Sequence, residues 1–522
     1  MFLRRAHPNA HEPNVELLAN DLLVVQYVLS TPPKKGAAAA RTPQVAIGRY
    51  HVKTVALKDI ERDLIRALVQ NPRLLSPRQE FILRWALSVS RLTLVRTPTG
   101  QDIDLLEPLG PYRQWLAEHL RTALPADGKP DGARLRLLLP SVKLRMDAAR
   151  QLVLNRHVND LSAEDLDQEL RFKKLVLVLG GGGGAGFAHL GVFELMEELG
   201  LQPHLLVGAS MGSLMGLFRS LERPYSSAAA LQAVPEAFDL ARIFRPFNGS
   251  SRFGMPGAFH MQLIRVAREA LENLVGRARL PVFEELPIRL EVVATGVRSG
   301  FASNPIVQES MQGKGPSQIN AFSMRRWLRR SLRLSQDLAA NPRMLKQIVF
   351  GSEDDTRTFS AVEAVGFSCS VPGIFCYDVF HDDPHTVGVL EELFERHGIW
   401  RMTDGGVVNN VPSRVAWESV MRGNIGTRNA YIFASDVFAP TPSPLNLPYT
   451  PVQQIARQNV RANRPFSDYT KTFRSPPSPI NLSPSYSQLR RIIERARKEL
   501  VSSVSHIRKA TAPLPPYGSW SR

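Results

Sequence analysis

The chain has 522 residues, 43% of them hydrophobic, and its 65 lysines and arginines exceed its 48 aspartates and glutamates to leave a net charge of +17. This composition excludes a disordered chain, and the use of only two cysteines excludes a scaffold held by disulfides. Because no apolar run reaches about 18 residues and the N-terminus lacks the apolar core of a signal peptide, we expect a cytoplasmic protein without a membrane span. The positive charge favours an anionic partner, which is a membrane, a nucleic acid or an acidic protein.

The sequence pattern of residues 1–170 predicts a mainly helical region. Ile60, Leu64 and Leu68 recur at the spacing of one helix face. Two stretches rich in proline, glycine and lysine, residues 31–37 and 125–132, predict loops between helices. We interpret this region as a helical cap or docking segment that precedes a domain of different character.

A glycine-rich loop, Gly180–Gly186, follows the apolar run Leu175–Leu179 and leads into a helix-like stretch. Backbone amides that converge at a helix N-terminus hold an anion, and either an oxyanion or a phosphate suits such a site. The spacing of Gly181, Gly183 and Gly186 also matches the dinucleotide fingerprint, although no Gly-Lys-Ser/Thr follows the loop. A plain tight turn between strand and helix is the third interpretation.

A pentapeptide of the form G-x-S-x-G spans Gly208–Gly212 and centres on Ser210. An apolar run precedes it and a helix-like run follows, as in a nucleophile elbow. Such a turn lifts the serine hydroxyl clear of the sheet and needs residues without bulk on both sides, here Gly208 and Gly212. The pattern also occurs in ordinary tight turns, so it does not establish catalysis by itself.

A basic amphipathic segment lies in residues 322–347. Its apolar face includes Trp327, and arginines interleave with that face. A helix of this kind lies in a lipid interface with its tryptophan at headgroup depth and its arginines on lipid phosphates, although an ordinary surface helix has the same pattern. We predict contact with an anionic membrane surface through Arg325, Arg326, Trp327, Arg329 and Arg330.

A third motif is Asp404-Gly405-Gly406. An aspartate before two glycines is typical of a turn that caps a helix or closes a hairpin. Placed beside a serine, the same carboxylate would act as a general base.

The histidines argue against a serine-acid-histidine triad. After Asp404 the chain has one histidine, His506, within a basic amphipathic stretch. His381 and His385 lie in an acidic, loop-like segment, and we interpret them as solvated residues because no second cluster accompanies them. We predict neither a metal nor a cofactor.

The glycine loop, the G-x-S-x-G elbow and the Asp-Gly-Gly motif, in this order, resemble the patatin-like phospholipase family. The resemblance runs from about Lys174 to about Pro412 and includes the flanks Gly186–Gly191 and Ser368–Phe375. It implies an α/β fold with a three-layer α/β/α core and a mostly parallel central sheet. The regions that we predict are a helical N-terminal region (1–170), a catalytic domain (174–415) and a C-terminal extension (416–522) with Pro/Ser-rich linkers and a basic helix (487–509).

The resemblance also implies roles for individual residues. Ser210 would be the nucleophile and Asp404 the base of a Ser-Asp dyad. The family usually has Arg or Lys before the last glycine of its loop, whereas this chain has Ala185. Amides for the oxyanion would come from Gly181, Gly182 and Gly183.

The predicted function is a serine acyl hydrolase that cleaves ester bonds of membrane phospholipids or other lipids, in lipid catabolism or remodelling. One alternative is a neutral-lipid lipase or acyltransferase with the same dyad. Another is a catalytically weak lipid-binding regulatory protein, which the Ala185 departure keeps open. We do not expect a nucleic acid as partner because the arginines interleave with Trp and Leu and no nucleic-acid motif is present, and the sequence names no protein partner.

Overall fold

The computed structural model describes residues 44–126, 128–237, 239–246, 251–267, 269, 280–305, 307–308, 333–338, 340–379, 383–439 and 450–521. The chain divides into two compact units, Met1–Thr54 and Val55–Arg522. In the first unit the described residues, 44–54, are helical. The second unit contains the whole candidate site.

The helices include α1 (Gln44–Gln70), α2 (Pro77–Arg91), α3 (Gly110–Ala123), α4 (Gly132–Arg156), α5 (Ala163–Arg171), α6 (His189–Glu198), α7 (Met211–Ser220), α8 (Ser227–Ala237), α9 (Leu240–Ile243), α10 (Asp354–Arg357), α11 (Ala361–Ser368), α12 (Pro384–His397), α13 (Gly405–Val408), α14 (Ser413–Met421), α15 (Thr450–Asn463) and α16 (Tyr486–Thr511). The strands include β1 (Leu94–Arg96), β2 (Asp102–Asp104), β3 (Lys174–Leu179), β4 (Pro203–Ala209), β5 (Phe244–Pro246), β6 (Gly257–Met261), β7 (Arg289–Val297), β8 (Leu345–Phe350), β9 (Gly373–Cys376), β10 (Arg401–Thr403), β11 (Ala430–Asp436) and β12 (Tyr469–Thr472).

Helices α1 to α5 contribute to a second hydrophobic core, separate from those of the central sheet. Trp85, Leu116 and Val142 are completely buried in it, and Leu514 and Trp520 from the end of the chain complete it. Local sequence explains where these helices begin: α2 and α5 each start with a capping box, and α2 has proline in its first turn.

The central sheet has apolar layers on both faces. Its strands run in the order β12-β11-β3-β4-β7-β8, and the pairs from β12 to β7 are parallel. Along β3, Leu175 and Leu177 join one core cluster, while Val176 and Val178 join another on the opposite face. A parallel sheet covered on both faces is a three-layer α/β/α arrangement, so the predicted fold class is confirmed.

Two strands meet end to end along one edge of β7. Strand β4 runs parallel to β7 and ends with Ala209 opposite Val293, whereas β10 runs antiparallel and ends with Thr403 opposite Thr295. Strand β8 pairs with β7 over both of these positions and therefore occupies the other edge. The residue that follows β4 and the residue that follows β10 are thus directed toward each other across Ala294.

Helix α16 covers the predicted basic stretch 487–509. Its apolar side, with Leu489, Ile493 and Leu500, is buried. It passes so close to α6 that a Cβ on Gly191 would lie 2.8 Å from the Cβ of Ala496. Among the described residues no helix is both long and apolar enough to cross a membrane.

Candidate active site

Ser210 stands in a strained turn between β4 and α7. Its φ of 51° and ψ of −132° make it the one non-glycine residue with positive φ in the described part of the chain. An L-residue in such a conformation costs of order 1–3 kcal/mol and persists only where the surroundings enforce it. The strain is therefore a property of the elbow that presents the serine.

The glycines on either side let the elbow close. A Cβ on Gly208 would lie 2.6 Å from the backbone of Ser213. A Cβ on Gly212 would overlap the carbonyl oxygen of Leu179, at the end of the neighbouring strand. Neither position has space for a side chain, which is the physical reason for the two glycines of the pentapeptide.

The serine hydroxyl contacts the aspartate of the third motif. Ser210 Oγ donates a hydrogen bond of 2.6 Å to Asp404 Oδ2. The two residues are 194 positions apart in sequence, and they are 8% and 7% exposed, respectively. The end-to-end approach of β4 and β10 brings them together, because each is the first residue after its strand.

A second serine holds the elbow in place. Ser368 Oγ, at the end of α11, accepts a hydrogen bond of 2.9 Å from the amide of Ser210 and donates one of 2.6 Å to the carbonyl of Val293. Ser213 Oγ donates a hydrogen bond of 2.6 Å to the carbonyl of Ser210. Sequence reasoning had given Ser368 no role, and its place at the head of a family flank was the available signal.

Asp404 is fixed on both its side chain and its backbone. Oδ1 accepts a hydrogen bond of 2.8 Å from the amide of Gly406, which leaves Oδ2 for the serine. The amide of Asp404 donates to the carbonyl of Ser370 at 3.0 Å, and its carbonyl accepts from Thr295 Oγ1 at 2.7 Å. A Cβ on Gly405 would overlap the carbonyl oxygen of Val293, so the motif needs glycine there.

Burial changes the acidity of this carboxyl group. Removal from water raises the pKa of Asp404 from 3.8 to about 6, although the hydrogen bonds from Ser210 and the Gly406 amide act in the opposite direction. A carboxylate with a pKa near 6 is a stronger base than an exposed aspartate and is still ionised at neutral pH. A pKa near 6 lies close to neutral pH, the range in which a general base is most effective.

The glycine loop passes directly beside the serine, since a Cβ on Gly181 would lie 2.9 Å from the Cβ of Ser210. The amide of Gly181 donates to the carbonyl of Asn410 at 3.1 Å. The amides of Gly182 and Gly183 have no acceptor among the described residues. Of the three amides predicted for an oxyanion, the two of Gly182 and Gly183 are thus available, whereas that of Gly181 is engaged.

A C-terminal segment covers the far end of the loop. The amide of Gly184 donates to the carbonyl of Pro479 at 2.8 Å. A Cβ on Gly184 would overlap the carbonyl oxygen of Asn481. The Pro/Ser-rich stretch 475–484, predicted as a linker, therefore packs against the glycine loop.

The histidines serve other purposes. His189 is completely buried, and its two ring nitrogens contact the Gly180 carbonyl at 2.8 Å and Ser435 Oγ at 3.0 Å. Burial lowers its pKa to about 4, so the ring is neutral and ties the glycine loop to β11. His506 lies in α16 against the ring of Tyr469, with a distance of 5.0 Å between ring centroids. In the described ranges, no group of three or more metal-ligating side chains is placed to hold an ion.

Residues 177–417 match the family model of patatin-like phospholipases. This region forms a patatin-like phospholipase domain. The patatin-like domain contains the glycine loop, Ser210 and Asp404, and the predicted family is confirmed. The sequence similarity of the chain to the relatives described below is local.

Relatives of this chain include animal and fungal proteins. Patatin-like phospholipase domain-containing protein 6 of Mus musculus is 34% identical over 116 residues, which is 22% of this chain and 8% of that protein. Lysophospholipase NTE1 of Mycosarcoma maydis is 28% identical over 156 residues, or 24% of this chain and 8% of that protein. The match to Lysophospholipase NTE1 of Saccharomyces cerevisiae has 41% identity over 63 residues, or 12% of this chain and 4% of that protein. The chain thus aligns with less than a tenth of the length of each of these relatives.

The membrane-contact residues predicted from sequence, Arg325, Arg326, Trp327, Arg329 and Arg330, lie outside the described residues. Ala185, at the position where the family usually has a basic residue, is completely buried in the apolar core next to α6.

Proposed function

We propose that the patatin-like domain is a serine acyl hydrolase that cleaves ester bonds of lipids with Ser210 as nucleophile and Asp404 as base. The observation that carries this proposal is the hydrogen bond of 2.6 Å from Ser210 Oγ to Asp404 Oδ2, made by a serine whose backbone is strained. A strained, buried serine beside a carboxyl group of raised pKa is costly for the fold, and the cost is typical of functional sites.

In the first half of the reaction Ser210 Oγ attacks the ester carbonyl carbon while Asp404 takes the hydroxyl proton. The amides of Gly182 and Gly183 stabilise the negative charge that develops on the carbonyl oxygen. As the tetrahedral intermediate collapses, the ester C–O bond breaks and Asp404 returns the proton to the leaving alcohol. The fatty acyl group remains on the serine.

In the second half water replaces the alcohol. Asp404 accepts a proton from the water as its oxygen attacks the acyl carbon, and the same two amides again hold the oxyanion. Collapse of this second intermediate breaks the bond to Ser210, which regains the proton from Asp404. The products are a free fatty acid and the original enzyme, so no histidine, metal or cofactor takes part.

Membrane phospholipids or lysophospholipids are the proposed substrates. Lysophospholipase is the name of two of the relatives described above, and a chain with a net charge of +17 is attracted to anionic headgroups. An enzyme confined to such a surface would act as a peripheral membrane protein.

Fatty-acid release tests the proposal and separates the substrate classes. Wild type, Ser210→Ala and Asp404→Asn would be incubated with phospholipid vesicles, lysophospholipid and a triacylglycerol emulsion, and free fatty acid measured by mass spectrometry. We expect release from phospholipid or lysophospholipid by wild type alone. Release from triacylglycerol alone would favour the neutral-lipid lipase. Transfer of the acyl group to an added alcohol would favour the acyltransferase. No release by wild type or by either variant would favour the regulatory protein.

A further inference from the structure

Helix α4 (Gly132–Arg156) is apolar on two opposite faces, and only one of them is covered. Leu135, Val142 and Met146 are buried in the core shared with α2 and α3. On the other side Leu137 and Leu144 are 79% and 71% exposed. These two leucines therefore lack a covering partner among the described residues, although large apolar side chains are normally buried.

The exposed apolar residues form one stripe. Leu137 and Leu144 are seven residues apart and project in nearly the same direction. Leu152 is 39% exposed, and Val158, just beyond the helix, is 73% exposed. Ala148 fills the stripe between the leucines and is exposed as well. At 100° per residue the polar Ser141 and Asn155 also project within this stripe, but no charged side chain projects along its middle.

Arginines line one border of the stripe. Arg134, Arg145 and Arg156 recur at intervals of eleven residues, about three helical turns, so they share one direction, and all three are exposed. None of them forms an ion pair within the described residues; Arg145 stacks on the ring of Trp115 at 4.5 Å. The one acidic residue of α4, Asp147, accepts a hydrogen bond of 2.6 Å from Lys143. The border therefore presents uncompensated positive charge.

We propose that this face of α4, the leucine stripe with its arginine border, docks on the surface of an anionic lipid bilayer. Leu137 and Leu144 enter the boundary between headgroups and acyl chains, and the border arginines contact lipid phosphates. This inference rests on the proposed function in that a lipid hydrolase has to reach a lipid surface. It names a surface other than the 322–347 segment.

Charge decides between a bilayer and a second copy of the chain. In a symmetric dimer the same patch faces itself, so two stripes would bring two arginine borders into one interface. Like charges so placed oppose association. An anionic bilayer supplies both an apolar layer for the leucines and negative charge for the border arginines, so it complements both parts of this face.

Vesicle binding by full-length protein tests the proposal. The variant is Leu137→Gln/Leu144→Gln, which removes exposed side chains without opening the core. Its matched control is Val501→Gln, because Val501 is also an apolar residue, 67% exposed, on a basic helix. Binding would be measured by flotation with vesicles of phosphatidylglycerol and phosphatidylcholine, and with pure phosphatidylcholine.

We expect the double variant to bind the anionic vesicles roughly 10- to 100-fold more weakly than wild type, as loss of two partly inserted leucines implies, and the control to bind like wild type. Arg134→Gln/Arg156→Gln should weaken binding at low salt and remove part of its salt dependence. Unchanged binding by the leucine variant, or equal binding of wild type to neutral vesicles, would overturn the proposal. A change of oligomeric state in that variant, seen by light scattering, would overturn it in favour of a second copy.

The readout is independent of catalysis. Binding is measured without turnover, and hydrolysis of a short-chain ester dissolved in water should be the same in wild type and in both double variants. Failure of the proposed function would appear as an inactive wild type that still binds vesicles. Failure of the docking proposal would appear as unaltered vesicle binding by an active enzyme.

Discussion

Asp404→Asn should stabilise the fold while it abolishes activity. The carboxyl group is buried, and its pKa rises from 3.8 to about 6 in the folded chain. Above pH 6 the folded protein therefore carries a charge in a place that disfavours it. An amide removes that charge, can still accept from the Gly406 amide, and can donate to Ser210 Oγ.

The expected gain in the free energy of unfolding follows from the shift in the pKa of Asp404. About two pKa units at 1.36 kcal/mol each correspond to about 3 kcal/mol of folding free energy at about pH 8. A carboxyl group with a raised folded-state pKa contributes its stability when protonated, that is, below its ordinary value, and loses it as the pH rises through about 6. The free energy of unfolding of wild type should thus rise by roughly 1 kcal/mol on acidification from about pH 8 to about pH 5. The stability advantage of Asp404→Asn over wild type should shrink by that amount.

Urea unfolding of wild type and Asp404→Asn between about pH 5 and pH 8 measures this difference. Asp378→Asn is the matched control, since Asp378 is 3% exposed and each of its oxygens accepts from a backbone amide: Oδ1 from Val379 at 2.9 Å, and Oδ2 from Arg252. An amide nitrogen there would face other donors, so this control should lose stability. A destabilised Asp404→Asn, or a difference that does not vary with pH, would refute the reasoning.

The other predictions concern rate, strain and buried charge. Because Asp404 must be ionised to act as base, kcat/KM for a soluble ester should rise with pH and level off above about 6; a profile that falls over this range would exclude it as the base. Ser210→Gly should relieve the positive φ and raise the free energy of unfolding by about 1–3 kcal/mol with loss of activity, and calorimetry that finds no gain over Ser210→Ala would argue against stored strain. Glu61 is buried and hydrogen-bonded to Arg91 and Lys173. Burial raises the pKa of Glu61, but these two cations hold that pKa at about 2. The contribution of Glu61 to the free energy of unfolding is therefore present above pH 4.5 and is lost as the pH falls toward 2. Glu61→Gln should accordingly lower the free energy of unfolding by about 3–5 kcal/mol at neutral pH, measured in urea. No change in stability would contradict this account of the ion pairs that Glu61 forms with Arg91 and Lys173.

The motifs of the site were predictable because glycine marks positions where the backbone leaves no space for a side chain. Gly208 is restricted by the backbone of its own turn, and Gly212 and Gly405 are restricted by carbonyl groups of neighbouring strands, but all three restrictions are visible in the sequence as glycines. The apolar run of β3, residues 175–179, is visible in the sequence as well. Three-layer architecture and the three motif positions therefore followed from pattern and resemblance.

Long-range pairing was not predictable. Strand β10 has three residues and carries no signal of its own, yet its antiparallel register against β7 brings Asp404 to Ser210. The role of Ser368 and the engagement of the Gly181 amide by Asn410 depend on that same convergence. The exposed stripe on α4 was hidden for a different reason, since leucines on both faces of a helix do not indicate which face the core covers.

The central claim is that Ser210 attacks the ester and that Asp404 activates it. The most direct measurement is covalent capture with a lipid-like fluorophosphonate, followed by peptide mass spectrometry of wild type, Ser210→Ala and Asp404→Asn. We predict one adduct, on the peptide that contains Ser210, with no labelling in Ser210→Ala and strongly slowed labelling in folded Asp404→Asn. An adduct on another residue, or labelling of Asp404→Asn at the wild-type rate, would contradict the account.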